Sequence, residues 1–260
     1  MSLNRFYVPP ERIKQGEAII EGPEAIHLAR VLRLQPGERV RVFDGQGQEY
    51  LSRIREINGL RVFVTLEAEP GPDELTVKRE PPLKVILAQG LPKGDKMELI
   101  IQKGTELGVD RVIPLVTERT IVRLEPDRAV KRQQRWQKVA AEAARQSQRS
   151  LIPRVDLPTG FNEVLKALPD SETSLCLIPW EDESACFIKP LLRQRTAIPE
   201  SVWVFIGPEG GFSAGEIEQA RAAGVIPVSL GPRILRTETA GFTVLTMLLY
   251  EWGDLGGAGG

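Results

Sequence analysis

Polar and apolar residues alternate through the first quarter of the chain. In "ERVRVFD", Val40 and Val42 alternate with arginines, and in "LRVFVTL" Leu60, Val62, Val64 and Leu66 share one face. A period of two predicts half-buried strands. "FDGQGQEY" supplies a turn between two of them. Helical spacing of Ile26, Ala29 and Leu32 predicts a short helix over "EAIHLARVLR". Five short strands and one helix predict a small barrel over residues 1 to about 68. "EAEPGPDELTVKREPP" then reads as a linker, rich in Pro and charge. The expected division is a domain over 1–72 and a second over 73–260.

From Leu83 the period changes. "LKVILAQG" predicts a buried strand, "GDKMELIIQKGTELG" a helix stopping near Gly108, and "DRVIPLVT" a second buried strand. That order implies a parallel sheet with a right-handed crossover. A long helix follows from about Asp127 to Ser147, with Trp136, Val139, Ala140, Ala143 and Ala144 as its apolar stripe. "SLCLIPW", "VWVFIG" and "VIPVSLG" predict later strands with helices between them. The last helix, "ETAGFTVLTMLLYEW", carries Leu245, Leu248, Leu249 and Trp252 at core spacing. The chain reads as α/β.

Charge changes the picture locally. The net charge is −1, yet Arg119–Arg154 holds ten Lys/Arg against three acids, leaving −8 for the rest. Such a stripe is either a polyanion footprint or a solvated helix face. One histidine, His27, excludes chemistry built on several imidazoles, and no metal is expected. Cys176 and Cys186 match no metal spacing and read as reduced thiols, which with the lack of a signal peptide or a membrane span predicts a cytoplasmic protein.

Three late strands each run into a loop of special residues: "IPWED", "IGPEGG" and "LGPRILRTETAG". Ligands of open α/β sheets sit at carboxyl ends of strands. Glycines in "GPEGG" let a ligand approach the backbone, and Ser213 with Glu216 forms a capping box that starts the next helix. A Walker phosphate loop is absent, and "GQGQEY" lacks the third glycine and the helix of a dinucleotide fingerprint. The loops offer backbone amides, Ile234, Leu235 and few cations, chiefly Arg233 and Arg236. That suits a small, partly apolar cofactor with an adenine and little or no phosphate.

"FIGPEGGFSAGEI" followed by "VSLGPRILRTETAGFTVL" resembles the SPOUT class of S-adenosylmethionine-dependent RNA methyltransferases. Within it, the RsmE family, which methylates N3 of a uridine in small-subunit (16S) ribosomal RNA, is the nearest in pattern. "RFYVP", "HLARVLRLQPGERVRVFDGQGQEY", "QKGTELGVDRVIPLVTERT" and "AAEAARQSQR" extend the resemblance over nearly the whole chain. In the last of these, Arg145 and Gln148 stand where the family pattern has an acid and a glycine.

The resemblance implies a C-terminal SPOUT domain tied in a deep trefoil knot, preceded by a PUA-like RNA-binding barrel. It implies a homodimer acting on 16S rRNA or the assembled small subunit. S-adenosylmethionine would be held by Ile178, Pro179, Gly207, Pro208, Glu209, Gly210, Leu230, Gly231, Ile234, Leu235, Thr237 and Ala240. Arg236 would stabilise the uracil imide as charge develops, and Glu209 and Glu238 are the only acids close to the motif that could act as the base. Glu238 reads as a first-turn acid on the helix dipole. Arg5, Arg30, Arg33, Arg119, Arg145 and Arg149 are the candidate RNA contacts, while Phe6 and His27 read as packing residues. The rival functions are a SPOUT-class ribose 2′-O-methyltransferase of tRNA or rRNA and a non-catalytic RNA-binding assembly protein.

Overall fold

Alternation in the first part of the chain produces strands whose inward residues are almost wholly buried. The computed structural model describes residues 3–67, 80–121 and 125–257. The chain divides into two units, residues up to 80 with 144–152, and residues 81–143 with those from 153 onward. Most of the expected linker, the 72/73 boundary and Arg123 lie outside the described residues.

The first unit contains β1 (Arg5–Tyr7), β2 (Ile13–Lys14), β3 (Glu17–Glu21), α1 (Pro23–Ile26), β4 (Arg39–Phe43), β5 (Glu49–Asn58) and β6 (Arg61–Leu66). Six strands, not five, form one sheet in the order β1-β4-β5-β6-β3-β2. Its core holds Phe6, Ile20, Leu28, Val40, Val42, Ile54, Val62 and Val64. Leu60 falls in the turn before β6 and is exposed, so the expected face loses its first member. The helix also turns differently from its sequence pattern. After α1 the backbone widens, with the amide of Leu32 donating to the carbonyl of His27, five residues back. Ala25 and Leu28 therefore point inward, and Ile26 is exposed.

Residues 144–152 join this unit through Glu80. Its carboxylate accepts from the Arg149 guanidinium at 2.8 Å and from the amides of Ser150 and Leu151. The Arg149 carbonyl in turn accepts from Arg5.

The second unit contains β7 (Lys84–Gly90), α2 (Lys96–Glu106), β8 (Arg111–Val116), α3 (Pro126–Gln146, whose last residues cluster with the first unit), β9 (Arg154–Val155), β10 (Thr159–Gly160), α4 (Phe161–Lys166), β11 (Ser174–Pro179), α5 (Ile188–Arg193), β12 (Ser201–Ile206), α6 (Ala214–Ala222), β13 (Ile226–Val228) and α7 (Thr237–Trp252). The strands pair in parallel in the order β10-β8-β7-β12-β11-β13, with β9 beside β8. β7 is buried from Val85 to Gly90, as a parallel strand covered on both faces must be. Gly108, at φ +103°, stops α2 as expected. α4 and α6 pack one core, with Phe161, Phe205, Phe212 and Ile217. α7 packs against α2, β7 and β12. Its Leu245, Leu248 and Leu249 are fully buried, and truncating any of them to Ala costs about 2–5 kcal/mol. Both cysteines are free thiols, and burial pushes Cys176 up to about 11. Among the described residues no helix is long and apolar enough to cross a membrane, and no group of three or more metal-ligating side chains occurs.

Candidate functional site

β11, β12 and β13 are parallel, and β11 lies between the other two. Their carboxyl ends, Pro179, Ile206 and Val228, thus reach one edge of the sheet, and the three Gly/Pro-rich loops meet there. Two clefts result. One, of about 500 Å³, lies between the β11 and β13 loops. The other, of about 410 Å³, lies between the β12 and β13 loops and reaches Lys96. Pro179, Glu181, Ile234, Leu235 and Ala240 line both, so the clefts form one groove. Ile234 is 90% exposed. An apolar side chain held in water at a groove wall suits an apolar ligand surface.

Each loop has a visible cause for its shape. In the β12 loop the amide of Gly211, at φ +67°, donates to the carbonyl of Pro208, closing a turn that an L side chain would strain. The capping box expected at Ser213 and Glu216 is present and starts α6. The β11 loop folds around Glu183. Its carboxyl lies below the usual range because the amides of Ala185 and Cys186 donate to it, with Arg221 adding a further bond. In the β13 loop, Gly231 has φ +112° with open space beside it.

The groove gathers Pro179, Leu230, Gly231, Ile234, Leu235 and Ala240 in one cleft and Gly207, Pro208, Glu209, Gly210, Arg236 and Thr237 in the other. Ile178 is different: its side chain is fully buried in the core beneath Pro179. Arg236 is exposed and makes no ion pair among the described residues. Glu209 and Glu238 instead flank Lys96, whose ammonium lies 3.0 Å from Glu209 and 3.6 Å from Glu238. Glu209 also accepts from the backbone amide of Lys93. Burial opposes its ionisation, but the bonds from Lys96 and from backbone amides prevail, and its carboxyl lies below the usual range. Lys96 is raised, first by its bond to Glu209.

The arginines expected on RNA fall into different settings. Arg30 and Arg33 are exposed. Arg119 donates to the carbonyl of Gly210 at 2.8 Å and packs its stem on that glycine. Arg149 is 4% exposed and bound to Glu80. Arg5 is paired with Glu49, and Arg145 with Glu24.

Among the contributors to the groove that sequence reasoning missed are Lys96, Glu181, Trp180 and Phe187, together with Gly90 and Arg119 in its bracing position. A Cβ on Gly90 would stand 2.4 Å from the Pro208 nitrogen, so the end of β7 passes directly beneath the β12 loop. "LPKGDK" is itself a turn after a buried strand, with Gly94 at φ +67°, and could have been counted as a fourth loop.

Residues 79–249 match a family described as the RNA methyltransferase domain, and residues 20–67 one described as the RNA methyltransferase PUA domain. The chain is 35% identical over 255 residues to ribosomal RNA small subunit methyltransferase E of Bacillus subtilis, covering 96% of this chain and 97% of that protein. It is 30% identical to the protein of that name from Mycobacterium tuberculosis, over 92% of this chain and 88% of that one. Among solved structures it resembles a methyltransferase of Legionella pneumophila in complex with S-adenosylmethionine (SAM), with TM-score 0.83, 34% identity, and 98% and 100% of the two chains covered. The ribosomal RNA small subunit methyltransferase E of Neisseria gonorrhoeae, bound to SAM, gives TM-score 0.81 and 33% identity over 98% and 100%.

Proposed function

Because the chain belongs to the RNA methyltransferase family whose model spans residues 79–249, we propose that it methylates N3 of a uridine in small-subunit ribosomal RNA, using S-adenosylmethionine. The observation that carries this reading is the single groove formed by three strand-end loops, with Ile234 exposed at its wall.

The groove suits the methyl donor. Trp180, Phe187, Ile234 and Leu235 offer apolar surface for an adenine. Glu181, which lines both clefts, supplies negative charge for a cationic ligand. Gly231, with open space beside it, lets its backbone come close to a ligand. When bound, SAM supplies an electrophilic methyl group on a sulfonium.

The chain's own part is alignment and charge control. The hydrogen bonds of Glu209 to the Lys93 amide and Lys96 fix the β12 loop, and Arg119 braces it from the other side. Fixed walls favour the in-line geometry on which such a displacement depends. Attack by N3 requires the uracil imide to lose its proton. Arg236, exposed and free of a carboxylate partner among the described residues, stabilises the negative charge that gathers on O2 and O4. A carboxylate held below its usual range is a weak proton acceptor, so Glu209 serves by holding the loop and Lys96.

For the finer fold we infer a deep trefoil knot at the C-terminus. The packing of α7 on β7 and β12, and the bond from Thr237 to Gly207, support it. A homodimer in the cytoplasm is the assembly and location that the family resemblance supports. The test is incubation with methyl-labelled SAM and unmodified small ribosomal subunits, followed by nucleoside mass spectrometry. Labelled 3-methyluridine is expected; a 2′-O-methylated nucleoside, or no transfer, contradicts the reading.

A further inference from the structure

The two clefts of the strand-end groove meet along Pro179, Glu181, Ile234, Leu235 and Ala240, and Glu181 is the one charged residue among these. Its side chain leaves the β11 loop and reaches the β12 loop. The carboxylate oxygens lie 3.0 and 3.4 Å from the point where a Cβ on Gly211 would stand, so a side chain there would crowd them. Glu181 is exposed and makes no hydrogen bond or ion pair among the described residues.

The other carboxylates of the lining are engaged. Glu183 accepts from the Ala185 and Cys186 amides and from Arg221. Glu209 accepts from Lys96 and from the Lys93 amide. Glu181 is thus the one lining carboxylate whose charge no described group neutralises. Arg233 lines one cleft and Arg236 the other, and both repel a cation. A ligand with a positive charge in its middle therefore finds its attractive partner at the junction, where Glu181 stands. A neutral ligand of the same shape gains nothing from that charge.

On the reading that the groove holds the methyl donor, we propose that Glu181 is a specificity-determining residue that separates the cationic donor from the neutral product. Methyl transfer breaks the carbon–sulfur bond, the electron pair stays on sulfur, the new bond forms to N3, and the N3 proton passes to solvent. S-adenosylhomocysteine is then a neutral thioether, one positive charge poorer than SAM. The two share the adenine, the ribose and the amino-acid end, so walls that touch only those parts do not tell them apart. A carboxylate at the junction does, and it favours replacement of spent product by fresh donor. Because Glu181 is in contact with water the attraction is screened, and its expected size is about five- to tenfold in affinity.

Titration calorimetry on the full chain tests this with three probes: SAM, S-adenosylhomocysteine, and sinefungin, in which a protonated amine replaces the methylsulfonium. Glu181→Gln is expected to weaken SAM and sinefungin about five- to tenfold and to leave S-adenosylhomocysteine within about twofold. Glu181→Asp, which keeps the charge, should retain most of the discrimination. Added salt should narrow the SAM preference in wild type and leave the Gln variant unmoved. In turnover, the ratio of the product's inhibition constant to KM for SAM should fall in the Gln variant by the same factor. Equal weakening of all three ligands overturns the proposal, because Glu181 would then hold the ribose or the amino-acid end. Unchanged affinities overturn it as well, and if SAM still binds in that case only this inference fails. If the discrimination responds as expected while unmodified small subunits gain no methyl group, this inference stands and the proposed activity fails. Failure of all three probes to bind wild type overturns both.

Discussion

Thr237 donates its hydroxyl hydrogen to the carbonyl oxygen of Gly207 at 2.5 Å, joining the first residue of α7 to the first residue of the β12 loop. The Thr237 hydroxyl oxygen in turn accepts from Gln89 Nε2 at 2.8 Å, so β7, β12 and α7 are tied at one buried point. Two loops of the groove therefore share a fixed distance. Thr237→Val keeps the shape but leaves the Gly207 carbonyl and one Gln89 donor unmatched. The expected loss is about 1–3 kcal/mol in urea unfolding, together with weaker SAM binding by calorimetry. Wild-type stability in both measurements would show that the tie carries no energy.

Gly90 lies where no side chain fits. A Cβ there would meet the backbone nitrogen of Pro208 at 2.4 Å and the Gly207 carbonyl carbon at 2.7 Å. Neither is a flexible side-chain end, so Gly90→Ala must displace the β12 loop. The expected cost is about 1–3 kcal/mol, with SAM affinity reduced about tenfold or more. Titration calorimetry on the folded variant decides it, and unchanged affinity would mean that the loop's position is not what the donor reads.

Arg236 is assigned to the reacting base. Arg236→Ala is expected to lower kcat about 10²–10³-fold while SAM affinity stays nearly constant. Arg236→Lys should recover little, because an ammonium does not present a planar fork. Turnover within a few fold of wild type in the Ala variant would remove the electrostatic role.

Glu209 and Lys96 give stability a pH dependence of known sign. Glu209 titrates below its usual 4.5 in the folded chain, so the unfolded chain takes up the proton first as pH falls. Its contribution is complete above about 4.5 and disappears as pH falls through the folded value. Lys96 is raised above 10.5, so its contribution is present below that pH and disappears as pH rises through the folded value. Urea midpoints are expected to fall on acidification less steeply in Glu209→Gln than in wild type. Identical acid limbs would show that the carboxylate is not linked to folding.

Much of this arrangement was written locally in the chain. Three Gly/Pro clusters after apolar runs mark strand-end loops, because φ above zero and a sharp exit from a strand need those residue types. The Ser213–Glu216 box and the stop at Gly108 depend only on near neighbours, and both stand as read. Lys96 and Arg119 were invisible as site residues because their partners, Glu209 and Gly210, lie 113 and 91 residues away. Only the strand order brings those ends together. The arginines were equally hard to separate. Arg149 looks like its neighbours in the basic run until Glu80 buries it. The inward face of α1 was misjudged because the widened turn at His27 departs from the 3.6-residue period on which the stripe was counted.

The groove as the seat of the methyl donor is tested most directly by a crystal structure of the chain soaked with S-adenosylmethionine. Density for the donor is expected against the β11, β12 and β13 loops, in contact with Gly207, Gly231 and Leu235, with its methyl group turned toward Arg236. Loops left without density at saturating donor, or density only elsewhere on the chain, would contradict it.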